Sequence, residues 1–145
     1  MSELVYDSSG SIARYVAAGL KLDPSEMLSG HCLAIVNQGR VFGGVVFSDY
    51  RENDSAWISI YTNNKRWCTR KCLKQIFGFG FEVLKCRRLN ALVRESNRAS
   101  VSLTERCGFV PEGKMRQYFR DGEDVLIFGM LREECQFINQ QHEGE

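Results

Sequence analysis

The chain has 145 residues, 43% hydrophobic and 26% charged, with a formal net charge of +1. That length fits one domain, residues 1–145, large enough to bury a core. The charge excludes a strongly basic nucleic-acid binder and an acidic disordered chain, and no apolar run reaches the ~20 residues of a membrane span.

Met1 to Gly10 lack the basic-then-apolar pattern of a secretory signal, so a cytoplasmic location is expected. The six cysteines are Cys32, Cys68, Cys72, Cys86, Cys107 and Cys135. Without a secretion signal they read as reduced thiols rather than a disulfide framework. Cys68 and Cys72 have the spacing of one helix face. No CxxC pair and no histidine cluster completes a zinc set, since His31 and His142 are far apart, and no metal is expected.

In chain order, Ser11 to Leu20 carries Ile12, Tyr15, Val16 and Leu20 at helical spacing. Cys32 to Val36 reads as a strand, Asn37-Gln38-Gly39 as a turn, and Val41 to Phe47 as a second strand. Ala56 to Tyr61 is a third, with Ala56, Ile58 and Ile60 on one face and Trp57, Ser59 and Tyr61 on the other. A basic loop, Thr62 to Arg70, leads into a helix to about Leu84 with the apolar stripe Leu73, Ile76, Phe77, Phe81 and Leu84. Gly78 and Gly80 inside it each cost roughly 1 kcal/mol against alanine, a cost that close packing on a sheet would explain.

Leu89 to Val93 is another strand, and Asn97 to Cys107 a short helix stopped by Gly108. Lys114 to Arg120 and Val125 to Leu131 read as strands joined by an Asp121-Gly122 turn. The tail from Arg132 reads as helical, then frays from Gln140. This order gives an α+β fold with a mixed, mostly antiparallel sheet. Its central strand-helix-strand unit should pair its strands in parallel.

The central helix opens with the wrong charges. Lys65, Arg66, Arg70, Lys71 and Lys74 gather there without an acidic residue, although a helix start carries partial positive charge and free N–H groups. Two readings stand. Either this is a solvated basic surface, or it holds an anion such as a polyphosphate. A nucleic-acid face would call for more aromatics than Trp67.

At this loop the chain resembles the GNAT superfamily of N-acetyltransferases. That family carries Arg/Gln-x-x-Gly-x-Gly/Ala between a strand and a helix; the matching run is Arg66-Trp67-Cys68-Thr69-Arg70-Lys71, with Thr69 and Lys71 at the glycine positions. Downstream, Asn97, the helix from Arg98, Gly108-Phe109, Glu112-Gly113, Arg116, Asp124 and Phe128-Gly129-Met130-Leu131 follow in the family's order. The resemblance spans roughly residues 30 to 135. The downstream run is similar to the branch containing ribosomal-protein N-terminal acetyltransferases, and similar loops occur in bacterial and phage proteins.

The resemblance implies helices on both sheet faces and a V-shaped split between two parallel strands, Ala56 to Tyr61 and Leu89 to Val93. Acetyl-CoA, as co-substrate, would lie in that split. The backbone of Ile58, Ser59, Ile60 and Tyr61 would bind the acetyl carbonyl and stabilise its oxyanion. Arg66, Trp67, Cys68, Thr69, Arg70, Lys71 and Cys72 would cradle the diphosphate. Asn97 and Ser100 would contact the coenzyme arm, Asn97 also capping its helix.

The family's tyrosine seven residues after the Asn is here Thr104, so the thiolate's proton is assigned instead to Ser100, three residues after it. Ser100 also reads as a helix-start or packing residue. Tyr118 is the candidate to line the acceptor site, although the residue type in a strand reads first as an ordinary sheet aromatic. For the base, His31, Asp49, Asp54 and Glu112 remain unplaced, and a water chain would also serve. The amine attacks directly, so no cysteine nucleophile is required.

The leading functional expectation is acetyl transfer to a primary amine of a protein or peptide. The alternatives are a small amine such as a polyamine or antibiotic, and a coenzyme- or nucleic-acid-binding module without catalysis. The expected partners are acetyl-CoA, an amine acceptor and, as an open alternative, a second copy in a homodimer; nucleic acid and membrane are not expected.

Overall fold

The computed structural model describes residues 2–64 and 66–138. Its sheet has seven strands in the order β1-β2-β3-β4-β5-β7-β6. These are β1 (Ser2–Asp7), β2 (His31–Asn37), β3 (Arg40–Arg51), β4 (Ser55–Thr62), β5 (Arg88–Arg94), β6 (Val110–Met115) and β7 (Val125–Leu131). The helices are α1 (Ser11–Leu20), α2 (Arg70–Gly78) and α3 (Arg98–Cys107). Every neighbouring pair is antiparallel except β4 and β5. The fold is the mixed α+β sheet expected.

Helix α1 packs on one sheet face through Ile12, Ala13, Val16 and Ala17, against Cys32, Ala34 and Val46. Helices α2 and α3 lie on the other, where Ile76, Phe77, Phe81 and Val101 join Ile35, Phe47, Ile58, Leu89 and Phe128. Small residues let α1 approach closely. A Cβ added at Gly44 on β3 would stand 2.7 Å from methyl carbons of both Ile12 and Val16. Gly80 has the packing reason expected, because a Cβ there would lie 3.1 Å from Phe47 and Leu89. Gly78 has only the Glu82 carboxylate near it, and nothing in the structure explains its cost.

Several boundaries differ from the sequence reading. β1, to which that reading assigned no element, pairs along β2 from Ser2↔Asn37 to Asp7↔Cys32. It is an edge strand, and its exposed Val5 and Tyr6 sit in no clean alternation. Helix α2 ends at Gly78 and continues as one wide π turn, Phe79–Val83. The strand expected at Lys114 to Arg120 is instead Val110–Met115, registered from Val110↔Gly129 to Met115↔Val125. At Gln117 the backbone turns to φ 53°, so Tyr118 lies in a loop and Asp121-Gly122 forms a turn inside it. Among the described residues the tail makes a short 3₁₀ turn, Arg132–Glu134, and no helix longer than that. Gln140 onward, where fraying is expected, lies outside the described residues, as do His142 and Lys65.

Gly44→Val should destabilise the protein by about 1–3 kcal/mol through overpacking. Gly39→Asn should change little, because φ 76° suits asparagine and nothing lies within 4 Å of the added carbon. Urea unfolding of both variants measures the difference; a neutral Gly44→Val would mean that α1 does not rest on β3 as described.

Candidate active site

β4 and β5 pair through only three residues each, Ser55↔Arg88, Ala56↔Leu89 and Trp57↔Asn90. Beyond them β4 stays registered to β3 as far as Thr62↔Gly43, and β5 to β7 as far as Arg94↔Val125. The two strands therefore part while each keeps its other neighbour. Backbone N–H and C=O groups on the facing edges from Ile58 and Ala91 onward have no strand to bond, and a ligand can take them. The gap opens at the carboxyl ends of the parallel pair, where α/β sheets bind ligands.

Both helices that follow these strands start at that opening. Thr69 caps α2, its hydroxyl accepting from the Cys72 N–H at 3.1 Å. With φ −85° and ψ 156° its backbone is ordinary extended chain, so this loop runs without glycine. Asn97 caps α3, its Oδ1 accepting from the Ser100 N–H at 3.2 Å. Two helix N-termini at one opening favour an anion.

The predicted residues divide. Ile58 is buried and Ile60 half-buried on the α2 face, while Tyr61 packs toward α1. Ser59 faces the same way as Tyr61 by alternation. Arg66 is exposed, its N–H donating to Asn64 Oδ1 at 2.8 Å, and Lys71 and Lys74 are exposed on α2. Arg70 turns toward the tail, donating to the Gln136 carbonyl at 3.4 Å with its guanidinium 5.4 Å from the Phe137 ring centre.

Trp67 is a core residue, 5% exposed, so only its backbone can face a ligand. Burial pushes the Cys72 and Cys107 thiols up to about 11 and raises Cys68 as well. These thiols are protonated near neutral pH. The described residues include no group of three or more His, Cys, Asp or Glu placed to hold a metal ion.

On α3, Ser100 is half-buried and its carbonyl accepts from the Thr104 hydroxyl at 2.7 Å. The candidate bases lie elsewhere. Asp54 pairs with Arg87, and Glu112 pairs with Arg88, which sits opposite Ser55 at the closed end. His31 Nδ1 shares a 2.9 Å hydrogen bond with the Tyr6 hydroxyl, and its ring stands edge-on to Tyr50. Asp49 stands at an irregularity of β3. Tyr118 is 43% exposed and edge-on to Phe119.

A charged cluster gathers at the end of β5 that has left β4. Arg94 ends β5, its Nη1 donating at 2.9 Å to both Asp121 and Glu123. Its guanidinium lies 3.8 Å from the centre of the Phe119 ring. Lys114 pairs with Glu95 at 3.0 Å and Asp124 at 3.5 Å. The Ser96 N–H and hydroxyl donate to Glu123, and the Gln117 N–H donates to Asp124. Loop 116–124 is thus tied to the β5 lip.

On the β4 lip, the Tyr61 ring lies flat against α1, so close to Gly19 that a Cβ there would meet it at 2.4 Å. Asp23, just past α1, is held below the usual carboxylate range by the Ser25 N–H and hydroxyl, with Arg120 of the loop adding to the effect. Among the described residues two buried side-chain polar atoms lack a hydrogen-bond partner, Tyr15 Oη and Arg94 Nε.

The loop's carboxylates sit below their ordinary range. The causes are chiefly the Glu123 N–H for Asp121, the Ser96 hydroxyl for Glu123 and the Gln117 N–H for Asp124. Depressed carboxylates stabilise above their unfolded pKa, and that contribution disappears as pH falls through the folded value. Amide exchange at Ser96 and Gln117 should therefore be slow near pH 6 and accelerate, beyond its intrinsic pH dependence, below about pH 4. Arg94→Ala should speed it at neutral pH. Protection that ignores both changes would mean these pairs do not hold the loop.

The comparisons with known proteins agree with this geometry. The family model described as an acetyltransferase (GNAT) domain matches residues 8–110. No curated protein matches in sequence. Solved structures do match in fold. A point mutant of the spermidine N-acetyltransferase SpeG from Vibrio cholerae superposes with TM-score 0.75 at 18% identity, covering 97% of this chain and 98% of that one. Two other mutant forms of SpeG, described as a spermidine/spermine N-acetyltransferase, give TM-score 0.73 at 17% identity over 92% of this chain and 96% of that one. A dodecameric form in an intermediate state gives 0.72 at 17% identity over 91% and 94%. With the family model covering well over half its length and the strand split in place, the chain belongs to the GNAT family of N-acetyltransferases.

Proposed function

We propose that the protein transfers the acetyl group of acetyl-CoA directly to a primary amine of a small molecule, with polyamines the first class to test. The parting of β4 and β5 after three residue pairs carries the acetyl-CoA part of this reading. The pantetheine arm takes the strands' unpaired backbone groups. The diphosphate sits at the α2 start, served by the backbone of Arg66 to Cys72 and the side chains of Arg66 and Lys71. The Ile58 to Tyr61 backbone stabilises the oxyanion. Asn97 and Ser100 flank the arm, and Ser100 stands as donor to the leaving sulfur. Tyr118 borders the acceptor side.

A small acceptor is favoured over the protein or peptide that leads the sequence reading. The structural neighbours named above are spermidine N-acetyltransferases.

Acetyl-CoA at ~100 times its Kd should stabilise the protein by roughly 2.7 kcal/mol. Arg66→Glu should weaken its binding about tenfold or more by placing a carboxylate beside the diphosphate, leaving the apo thermal midpoint unchanged. Calorimetric titration measures this. Unaltered affinity would mean that the diphosphate lies elsewhere. Thiol release over a panel of polyamines, aminoglycosides and N-terminal peptides then decides the acceptor class, and turnover confined to the peptides would reverse the preference for a small amine.

A further inference from the structure

One buried hydroxyl on α1 stands out. Among the described residues Tyr15 Oη has no hydrogen-bond partner, a state that costs about 1–3 kcal/mol and is seldom left in native structures. The Tyr15 ring meets Tyr61 edge-on, with centroids 5.5 Å apart at 71°. Tyr61 belongs to the stretch of β4 that has left β5. Its own ring is fixed against Gly19, where a Cβ has no room. Helix α1 and the open part of β4 thus form one wall, with the Tyr15 hydroxyl built into it.

On the other side of the sheet, the α3 position that the family fills with a tyrosine holds Thr104. Thr104 spends its hydroxyl on the Ser100 carbonyl within its own helix.

We infer that Tyr15 is a substrate-contacting residue whose hydroxyl hydrogen-bonds the acceptor amine on the α1 side of the gap. This rests on the acetyl-transfer reading above. The hydroxyl accepts an N–H of the neutral amine and aims the nitrogen lone pair at the acetyl carbon. The N–C bond forms and the C–S bond breaks. The electron pair leaves on sulfur, which gains a proton, and the nitrogen sheds one to solvent, so the protons balance. Tyr15 keeps its own proton throughout. Burial first, and Tyr61 second, raise it above an ordinary phenol, so it is protonated at neutral pH and can both accept and donate.

Tyr15→Phe tests this, because the ring contact with Tyr61 survives and only the hydroxyl is lost. The expected result has three parts: an apo thermal midpoint unchanged or raised, an acetyl-CoA Kd within about twofold of wild type, and kcat/KM for the best polyamine of the panel at least tenfold lower. A lowered apo midpoint would overturn the inference with no substrate present, since the hydroxyl would then have a protein partner. A kcat/KM within twofold of wild type would overturn it while leaving the acetyl-transfer reading intact. Absence of thiol release by the wild type with every amine would sink that reading, and the inference with it.

Discussion

The structure turns on the seam between β4 and β5. A parallel pair buried in a sheet ordinarily zips to its end, because each unpaired N–H or C=O removed from water costs free energy. Here the seam closes over three residues and then stops. Both strands continue for several residues, each bonded on its far side only. The sheet therefore contains two edges facing each other in its interior. Those edges call for a partner other than a strand, and in the function proposed above an extended arm carrying amide groups is that partner.

Separate anchors keep the lips apart. Tyr61 fastens the β4 lip to α1 through Gly19 and Tyr15. Arg94 fastens the β5 lip to loop 116–124 through Asp121, Glu123 and Phe119. The core beneath, with Ile58, Phe77, Leu89 and Phe128, belongs to both halves of the sheet. The opening is thus a fixed feature of the packing. The two helix N-termini and the cations of α2 give it a positive end, and the tyrosines and the clamped loop border the opposite side. That polarity matches a ligand with an anionic head and a neutral reactive tip.

Much of this was legible in the sequence, for identifiable reasons. The α1 boundaries, the Gly39 turn and the β7 span followed from periodicity and from residues that tolerate positive φ. The cationic helix start stood out because it violates the ordinary charge preference of a helix N-terminus. Strand β6 was misplaced because the strong Asp-Gly turn signal is nested inside a longer loop, where it bends the chain without joining two strands. β1 was missed because an edge strand need not alternate. Arg94 and Tyr15 were missed for another reason. Each reads as an unremarkable residue of its element, and its part depends on partners up to about thirty or forty-six positions away. Trp67 carries two parts that its place in a loop motif does not separate, since its side chain is core and only its backbone is left to face a ligand.

Hydrogen–deuterium exchange with and without acetyl-CoA tests the central claim most directly. The account predicts that saturating acetyl-CoA slows exchange at amides of Ile58 to Thr62 and of the first turn of α2 together, with β1 and β2 unchanged. Binding that leaves the Ile58 to Thr62 amides exchanging at their apo rate would contradict it, because the parted strands would then not be what holds the thioester.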